Sequence, residues 1–458
     1  MTNRPNIILF LVDDQAWSGT SIPKYHPYRA DSASDYFEMP HLQQLARQGM
    51  RFTDAYAPAP LCAPARISIQ LGVSPVRLRA TTFCGIRRNG KAEQKRPDGR
   101  PAISEILKQE HPEYVTAHFG KWHIYGHTPH ELGFDVSDGN TENRQGHSLR
   151  DPENDPKRIF ELTRRAVDFI EEKAGAETPF FLQLSHYALH IPVECRAGQR
   201  ERFAAKRPGW KDHFPDYAAM TADLDESLGR ILRAVNQLGI AGNTYVFYLS
   251  DNGGNACDHV SLTTLCKPLC KGKQFLHEGG IRIPFVASGP AIPPNSVCTE
   301  PVIAYDLLPT LADLAGCTQL PGDLDGISLR PALETPRPPL HRAVEPEPCP
   351  PVLQRKNDAF VWHVPYRMPG FSYYRESAIR KGKYKLLHNW DGDFVELYDL
   401  DVDFEERVNL AHQKPELADE LDDELKQYLE RVDAERDVAP ANLNIRRKWL
   451  EDDRSVYS

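Results

Sequence analysis

At 458 residues the chain has room for one large domain and one small one. A net charge of −9 gives no general reason to expect nucleic acid or an anionic membrane as partner, and no run approaches the ~20 apolar residues of a membrane span. Nine cysteines are too few for a disulfide scaffold at this length, and 40% apolar against 26% charged residues is ordinary for a globular protein.

The amino terminus, Met1-Thr2-Asn3-Arg4-Pro5, runs straight into the apolar stretch Asn6–Val12 (NIILFLV), which suits a strand buried on both faces of a parallel sheet. That leaves no room for a signal peptide and favours the cytoplasm; a leader preceding this sequence would instead make the protein periplasmic or secreted. The stretch ends in Asp13-Asp14, which either caps a helix or places two carboxylates at a strand's carboxyl end, where open α/β sheets bind ligands. Cys62 comes next, in Pro60-Leu61-Cys62-Ala63-Pro64-Ala65-Arg66; taken alone it reads as a small buried apolar residue. Residues 77–100 then carry Arg77, Arg79, Arg87, Arg88, Lys91, Lys95, Arg96 and Arg100 against Glu93 and Asp98, a segment that either steers an anion or is a solvated loop.

Strand-like residues 114–119 lead into Gly120-Lys121-Trp122-His123. Residues 158–173 show the helical period, with Ile159, Leu162, Ala166, Phe169 and Ile170 on one stripe. A strand at 180–184 precedes Ser185-His186-Tyr187-Ala188-Leu189-His190-Ile191-Pro192. A helix over 219–238 feeds the strand 244–249, which ends in Ser250-Asp251-Asn252-Gly253-Gly254. Asn252-Gly253 alone is a common turn dipeptide. Two apolar strands that each end in an acid-bearing pair, far apart in sequence, are nevertheless what a split metal site requires, and their oxygen donors suit Ca²⁺ or Mg²⁺. Cys257, His259, Cys266 and Cys270 crowd one loop as zinc ligands, a disulfide or free thiols; their spacing departs from paired Cys-x₂₋₄-Cys patterns. Lys273 and Glu278-Gly279-Gly280-Ile281-Arg282-Ile283-Pro284 come next, then a strand over 283–287 and a helix over 305–315.

This alternation argues an α/β fold whose large, mostly parallel sheet is sandwiched by helices. Residues 335–351 are broken by prolines and read as linker or irregular surface. They divide an amino-terminal catalytic domain, 1–350, from a carboxyl-terminal subdomain, 351–458. In the latter, residues 377–380, 384–387 and 395–398 read as short antiparallel strands. A helix over 415–432 carries Leu417, Leu421, Leu425 and Leu429 at a spacing of four.

Cys62 stands two residues before Pro64 and four before Arg66. Together with the Gly-Lys-Trp-His element, the second histidine loop, the late lysine and the Glu-Gly-Gly turn, in that order, this pattern resembles type I (formylglycine-dependent) sulfatases of the alkaline phosphatase-like superfamily. The resemblance covers nearly the whole chain and implies the family's sandwich fold with a small antiparallel sheet plus helix at the carboxyl end. It implies that a maturase converts Cys62 to formylglycine, whose hydrate attacks the sulfur of a sulfate monoester, a sulfated carbohydrate being the leading substrate. It implies a divalent cation, Ca²⁺ ahead of Mg²⁺ or Mn²⁺, held by Asp13, Asp14, Cys62, Asp251 and Asn252. Arg66 would position the formylglycine, Lys121 and Lys273 would hold sulfate oxygens, His123 would help eliminate sulfate, and His190 would protonate the departing alcohol. Two positions depart from the pattern: Ala65 stands where serine is usual, and Leu71 precedes Gly72 where threonine is frequent. Both lie in the segment the maturase reads, so conversion is expected to be inefficient or to depend on a particular maturase.

Two other readings stay open. A phosphonate monoesterase or phosphodiesterase of the same superfamily commonly has histidine after the late aspartate, where this chain has Asn252. A degenerate, non-catalytic fold that binds sulfated glycans is motivated by the altered maturation segment.

Overall fold

Side chains alternate across a strand, and this places the main core. In the computed structural model Ile7, Leu9 and Leu11 join Phe181, Phe247 and Leu249 in one apolar cluster. Ile8, Phe10 and Val12 join Leu182, Leu184, Val246 and Tyr248 in another. The structure describes residues 4–24, 32–82, 86–88, 91–93, 96, 99–146, 151, 153–255, 265–335, 352–366 and 375–436. Helices Cys62–Leu71, Ile103–Glu110 and Leu307–Ala315 cover the first cluster. Helices Pro40–Gln48, Ile159–Gly175 and Pro215–Gln237 cover the second. A sheet buried on both faces needs continuously apolar strands, which is why Asn6–Val12 has no polar position after Asn6.

Eight strands form this sheet, in the order Ser296–Cys298, Met50–Phe52, Phe285–Ser288, Thr244–Ser250, Asn6–Val12, Phe180–Ser185, Val115–Gly120 and Val136–Ser137. Phe285–Ser288 runs against both neighbours, and every other pairing is parallel. Five adjoining strands are thus parallel, and the four longest of them end on one edge. The segments that leave it begin with Asp13-Asp14, Lys121, His186 and Asp251, so topology alone gathers most of the expected site there.

Strands Ala359–Val364, Glu376–Lys381, Tyr384–Asn389 and Phe394–Asp399 form an antiparallel meander. One face packs Ile379, Leu386 and Leu397 against Leu421, Leu425 and Leu429 of helix Pro415–Arg431. The other packs Trp362, Ala378 and Leu387 against Tyr56, Leu61 and Leu276 of the large sheet's surroundings.

The first of these strands, Ala359–Val364, is not among the elements expected from the sequence. Helix Pro215–Gln237 starts earlier than the apolar pattern suggests, because Pro215 occupies the first turn, where its missing N–H costs nothing. The expected helix over 305–315 opens as a 3₁₀ turn, Ala304–Asp306, in which Asp306 accepts the Ile303 N–H. Residues 336–351, and with them the expected boundary near 350, lie outside the described residues. Among the described residues no helix is long and apolar enough to cross a membrane.

Three histidines are held neutral inside this fold. Burial pushes His118 and His186 down to about 3 and His363 down to about 4. Their folded values lie below the unfolded one, so the unfolded chain binds more protons under pH ~6.5 and stability drops as pH falls from there toward 4. At pH 5 each should cost up to about 2 kcal/mol. Urea unfolding at pH 7 and pH 5 checks this, and His363→Gln is expected to lose less on acidification than the parent.

Candidate active site

Cys62 opens helix Cys62–Leu71, which Gly72 closes in a left-handed conformation with φ 65°. A spacing of four puts Arg66 on the same helix face as Cys62, one turn on. From there Arg66 Nε donates to Asp251 Oδ2 at 2.8 Å and Nη1 to the Lys121 carbonyl at 2.6 Å. One guanidinium thus ties the helix to the ends of two strands.

Neighbouring residues of a strand point to opposite faces, yet Asp13 and Asp14 both turn inward. Asp14 leaves the extended conformation, with φ 59°, and donates its backbone N–H to Asp251 Oδ1 at 3.2 Å. The left-handed region is costly for most side chains and tolerable for Asp and Asn. The loop carrying His190 is laced to the same place: Asp13 N–H donates to the Ala188 carbonyl at 3.0 Å, and Leu189 N–H to the Asp13 carbonyl at 2.6 Å.

Cys62 Sγ lies 3.3 Å from Asp13 Oδ1 and 3.7 Å from Asp14 Oδ1. Ligand atoms of Asp13, Asp14, Cys62 and Asp251 fall within 4.8 Å of one another, and all four residues are buried. Asn252 donates Nδ2–H to Asp14 Oδ1 at 2.8 Å, while its buried Oδ1 finds no hydrogen-bond partner among the described residues. Three carboxylates and an orphaned amide oxygen are the hard donor set that Ca²⁺ or Mg²⁺ takes, so these residues fit a divalent cation. Lys121 Nζ lies 2.6 Å from Asp13 Oδ2, and Lys273 Nζ lies 2.7 Å from Asp14 Oδ2. With Arg66, these lysines balance the three carboxylates charge for charge.

Titration directions reflect this crowding. Burial, then Asp13 and Asp251, push the Cys62 thiol well up, with Lys121 and Lys273 opposing. Burial pushes the Asp251 carboxyl up against the pull of Arg66. Burial disfavours the Lys273 ammonium, but Asp14, Cys62 and Asp13 outweigh it and hold its pKa well above the usual lysine range.

Both expected histidines stand at this edge. His190 Nδ1 lies 2.6 Å from the Ile191 carbonyl and donates to it, which leaves Nε2 to accept from Asn143 Nδ2 at 3.2 Å. The same Nε2 is 3.8 Å from Asp14 Oδ2. His123, with φ 55°, pairs Nε2 with the Tyr125 hydroxyl at 3.0 Å and donates its backbone N–H to the Thr141 carbonyl at 2.8 Å. Burial first, and then neighbouring lysines, push both imidazoles well below 6.5. His186, from the same motif as His190, turns into the core and contacts Ser227 Oγ at 3.0 Å.

A family model described as Sulfatase matches residues 5–317. The chain belongs to the sulfatase family. N-acetylgalactosamine-6-sulfatase of Sus scrofa is 32% identical over 72% of this chain, and the match spans 66% of that enzyme, just under two thirds of its length. Ulvan-active sulfatase of Formosa agariphila is 26% identical over 93% of this chain and 81% of its own. The crystal structure of Ps i-CgsB in complex with k-i-k-neocarrahexaose shares the fold, with a TM-score of 0.73 and 24% identity over 93% of both chains.

In this sulfatase-family chain the arginines of the basic segment that can be placed each pair with a carboxylate. Arg77 pairs with Asp323 and Asp325, Arg79 with Asp433, Arg96 with Glu105 and Arg100 with Asp323. The side chains of Arg87, Arg88, Lys91 and Lys95 lie outside the described residues. So do Cys257 and His259. Cys266 Sγ contacts the Gly254 carbonyl at 3.3 Å, and it forms no disulfide with Cys270.

Four residues at the edge carry no signal in the sequence. Tyr125, Thr141 and Asn143 orient His123 and His190. Lys157 is 1% exposed, and burial lowers its ammonium to about 8 against the opposing charges of Glu194 and Asp13. Only their place in space distinguishes them from ordinary loop residues.

Proposed function

We propose that this protein is a sulfatase that hydrolyses a sulfate monoester of a carbohydrate, with position 62 as nucleophile. The observation that carries the reading is the convergence of Cys62, Asp13, Asp14 and Asp251 within 4.8 Å, flanked by Lys121 and Lys273. Relatives named for N-acetylgalactosamine-6-sulfate and ulvan support a sugar sulfate as the substrate class. When present, formylglycine at position 62 supplies a hydrated aldehyde as nucleophile, and a Ca²⁺ ion polarises a sulfate oxygen and acidifies the attacking hydroxyl.

Asp13, Asp14, Asp251 and Asn252 would hold that ion, with residue 62 beside them. Lys121 and Lys273 neutralise Asp13 and Asp14; with a divalent cation held by those carboxylates, both ammoniums would be left to bind sulfate oxygens. Arg66 fixes the helix start that presents position 62. His190 keeps Nε2 toward the edge through its Nδ1–H bond to Ile191. Being neutral there, it must first take up a proton on Nε2, which the charge of a bound sulfate ester favours, before it delivers one to the departing alcohol, while His123 is assigned to the step that expels sulfate.

Matured, Ca²⁺-loaded protein is therefore expected to release sulfate from defined sulfated mono- and disaccharides and from an aryl sulfate. A strong preference for an aryl phosphodiester would overturn the assignment. Lys273→Met is expected to lower turnover of the aryl sulfate by about 10²–10³, as loss of one charge-stabilising donor does. Steady-state kinetics at saturating Ca²⁺ check it.

A further inference from the structure

Lys385, in strand Tyr384–Asn389 of the small sheet, is fully buried, and its Nζ donates to Glu278 Oε1 at 2.9 Å and Glu406 Oε1 at 2.8 Å. Glu406 Oε2 accepts the Glu278 N–H at 2.7 Å. The other Glu278 oxygen, Oε2, accepts the Tyr56 hydroxyl at 2.7 Å and the Arg282 guanidinium at 3.3 Å. All of these groups are buried, so removing one partner leaves the others uncompensated.

Glu278 opens the short helical turn Glu278–Ile281, whose backbone lies directly on the two segments that carry Asn252 and Lys273. The Gly280 carbonyl accepts the Gly253 N–H at 2.9 Å. A Cβ on Gly253 would sit 2.0 Å from the Gly279 oxygen, and one on Gly280 would sit 2.0 Å from the Phe275 oxygen. Backbone thus meets backbone with no side chain between to absorb a shift. Lys273 N–H donates to the Gly254 carbonyl and Gln274 N–H to the Pro60 carbonyl, each at 2.9 Å. Lys273 is thereby registered against both the Asn252 loop and the segment that precedes Cys62.

From these contacts we infer that Lys385 is a positioning residue for the active edge: by clamping Glu278 it sets where Asn252 and Lys273 stand, and this makes the small sheet part of the working site. For turnover the role rests on the sulfatase reading; for cation binding it needs only the donor cluster.

The test uses the full-length matured protein, with Ca²⁺ affinity by calorimetry and kcat and KM on an aryl sulfate, at temperatures where circular dichroism shows each variant folded. Lys385→Met is expected to weaken Ca²⁺ binding and lower kcat by about 10-fold or more each, with KM changed far less, since misplacement by an ångström is costly to catalysis. Lys385→Met/Glu406→Gln, which removes the excess negative charge, should regain part of both. Folded Lys385→Met with parental affinity and kcat would overturn the inference and leave the network a stabilising one. If that variant does not fold, Glu406→Ala carries the test. It takes away the acceptor of the Glu278 N–H and is expected to lose roughly 3–10-fold in both readouts; parental values there would again overturn the inference. A parent that binds Ca²⁺ but leaves the sulfate ester intact would sink the sulfatase reading, while the cation titration still decides the role of Lys385. A parent that binds no Ca²⁺ would sink both.

Discussion

Cys62→Ala is expected to abolish sulfate-ester hydrolysis, with turnover down by at least about 10⁴, while the protein stays folded. The thiol is small, and its polar contacts are the 3.3 and 3.7 Å approaches to Asp13 and Asp14, so its removal opens little space in the core. What it removes is the position at which a nucleophile stands beside the carboxylate cluster at a helix start. The thiol itself is a poor substitute, since burial and the flanking carboxylates keep it protonated. Turnover by protein expressed without a maturase should therefore resemble that of Cys62→Ala. Thermal melts alongside sulfate-release assays separate lost chemistry from lost fold.

Asp14→Asn comes second in expected size. Asparagine tolerates the left-handed backbone at φ 59°, so the loop keeps its course while one carboxylate charge disappears. Lys273 loses its partner at 2.7 Å, and the cation loses a charged oxygen. Affinity for Ca²⁺ is expected to fall by about 10² or more and turnover at moderate Ca²⁺ by about 10³, with partial recovery as Ca²⁺ is raised. Calorimetry and a Ca²⁺ titration of activity check it. A loss that high Ca²⁺ does not relieve would argue against Asp14 as a ligand.

Much of the fold and site is legible in the sequence because the site is built at strand ends. Asn6–Val12 and Thr244–Ser250 announce themselves as buried strands through unbroken apolar runs, and the residues just past such a strand in a parallel sheet must lie on the ligand-binding edge. Cys62 and Arg66 are legible for another reason: their spacing about Pro64 resembles the sulfatase signature, whereas the helix Cys62–Leu71 that puts them on one face is not among the elements expected from the sequence. Short edge strands such as Val136–Ser137 and Ser296–Cys298 are not legible, since two or three residues carry no periodicity. Nor are Tyr125, which meets His123 within one loop, and Thr141 and Asn143, whose contacts join separate segments of the chain. The Lys385 bridge is the least visible. It joins a strand of the small sheet to carboxylates on a helical turn and a loop, and a buried lysine reads like any solvated one until its two carboxylates are seen around it.

The most direct measurement is the anomalous difference density of a crystal of the matured protein grown with Ca²⁺. One peak per chain is expected, within about 2.3–2.6 Å of oxygens from Asp13, Asp14, Asp251 and Asn252 and next to residue 62. No peak there, or an ion bound elsewhere while Lys121 and Lys273 remain on Asp13 and Asp14, would contradict a shared cation at position 62.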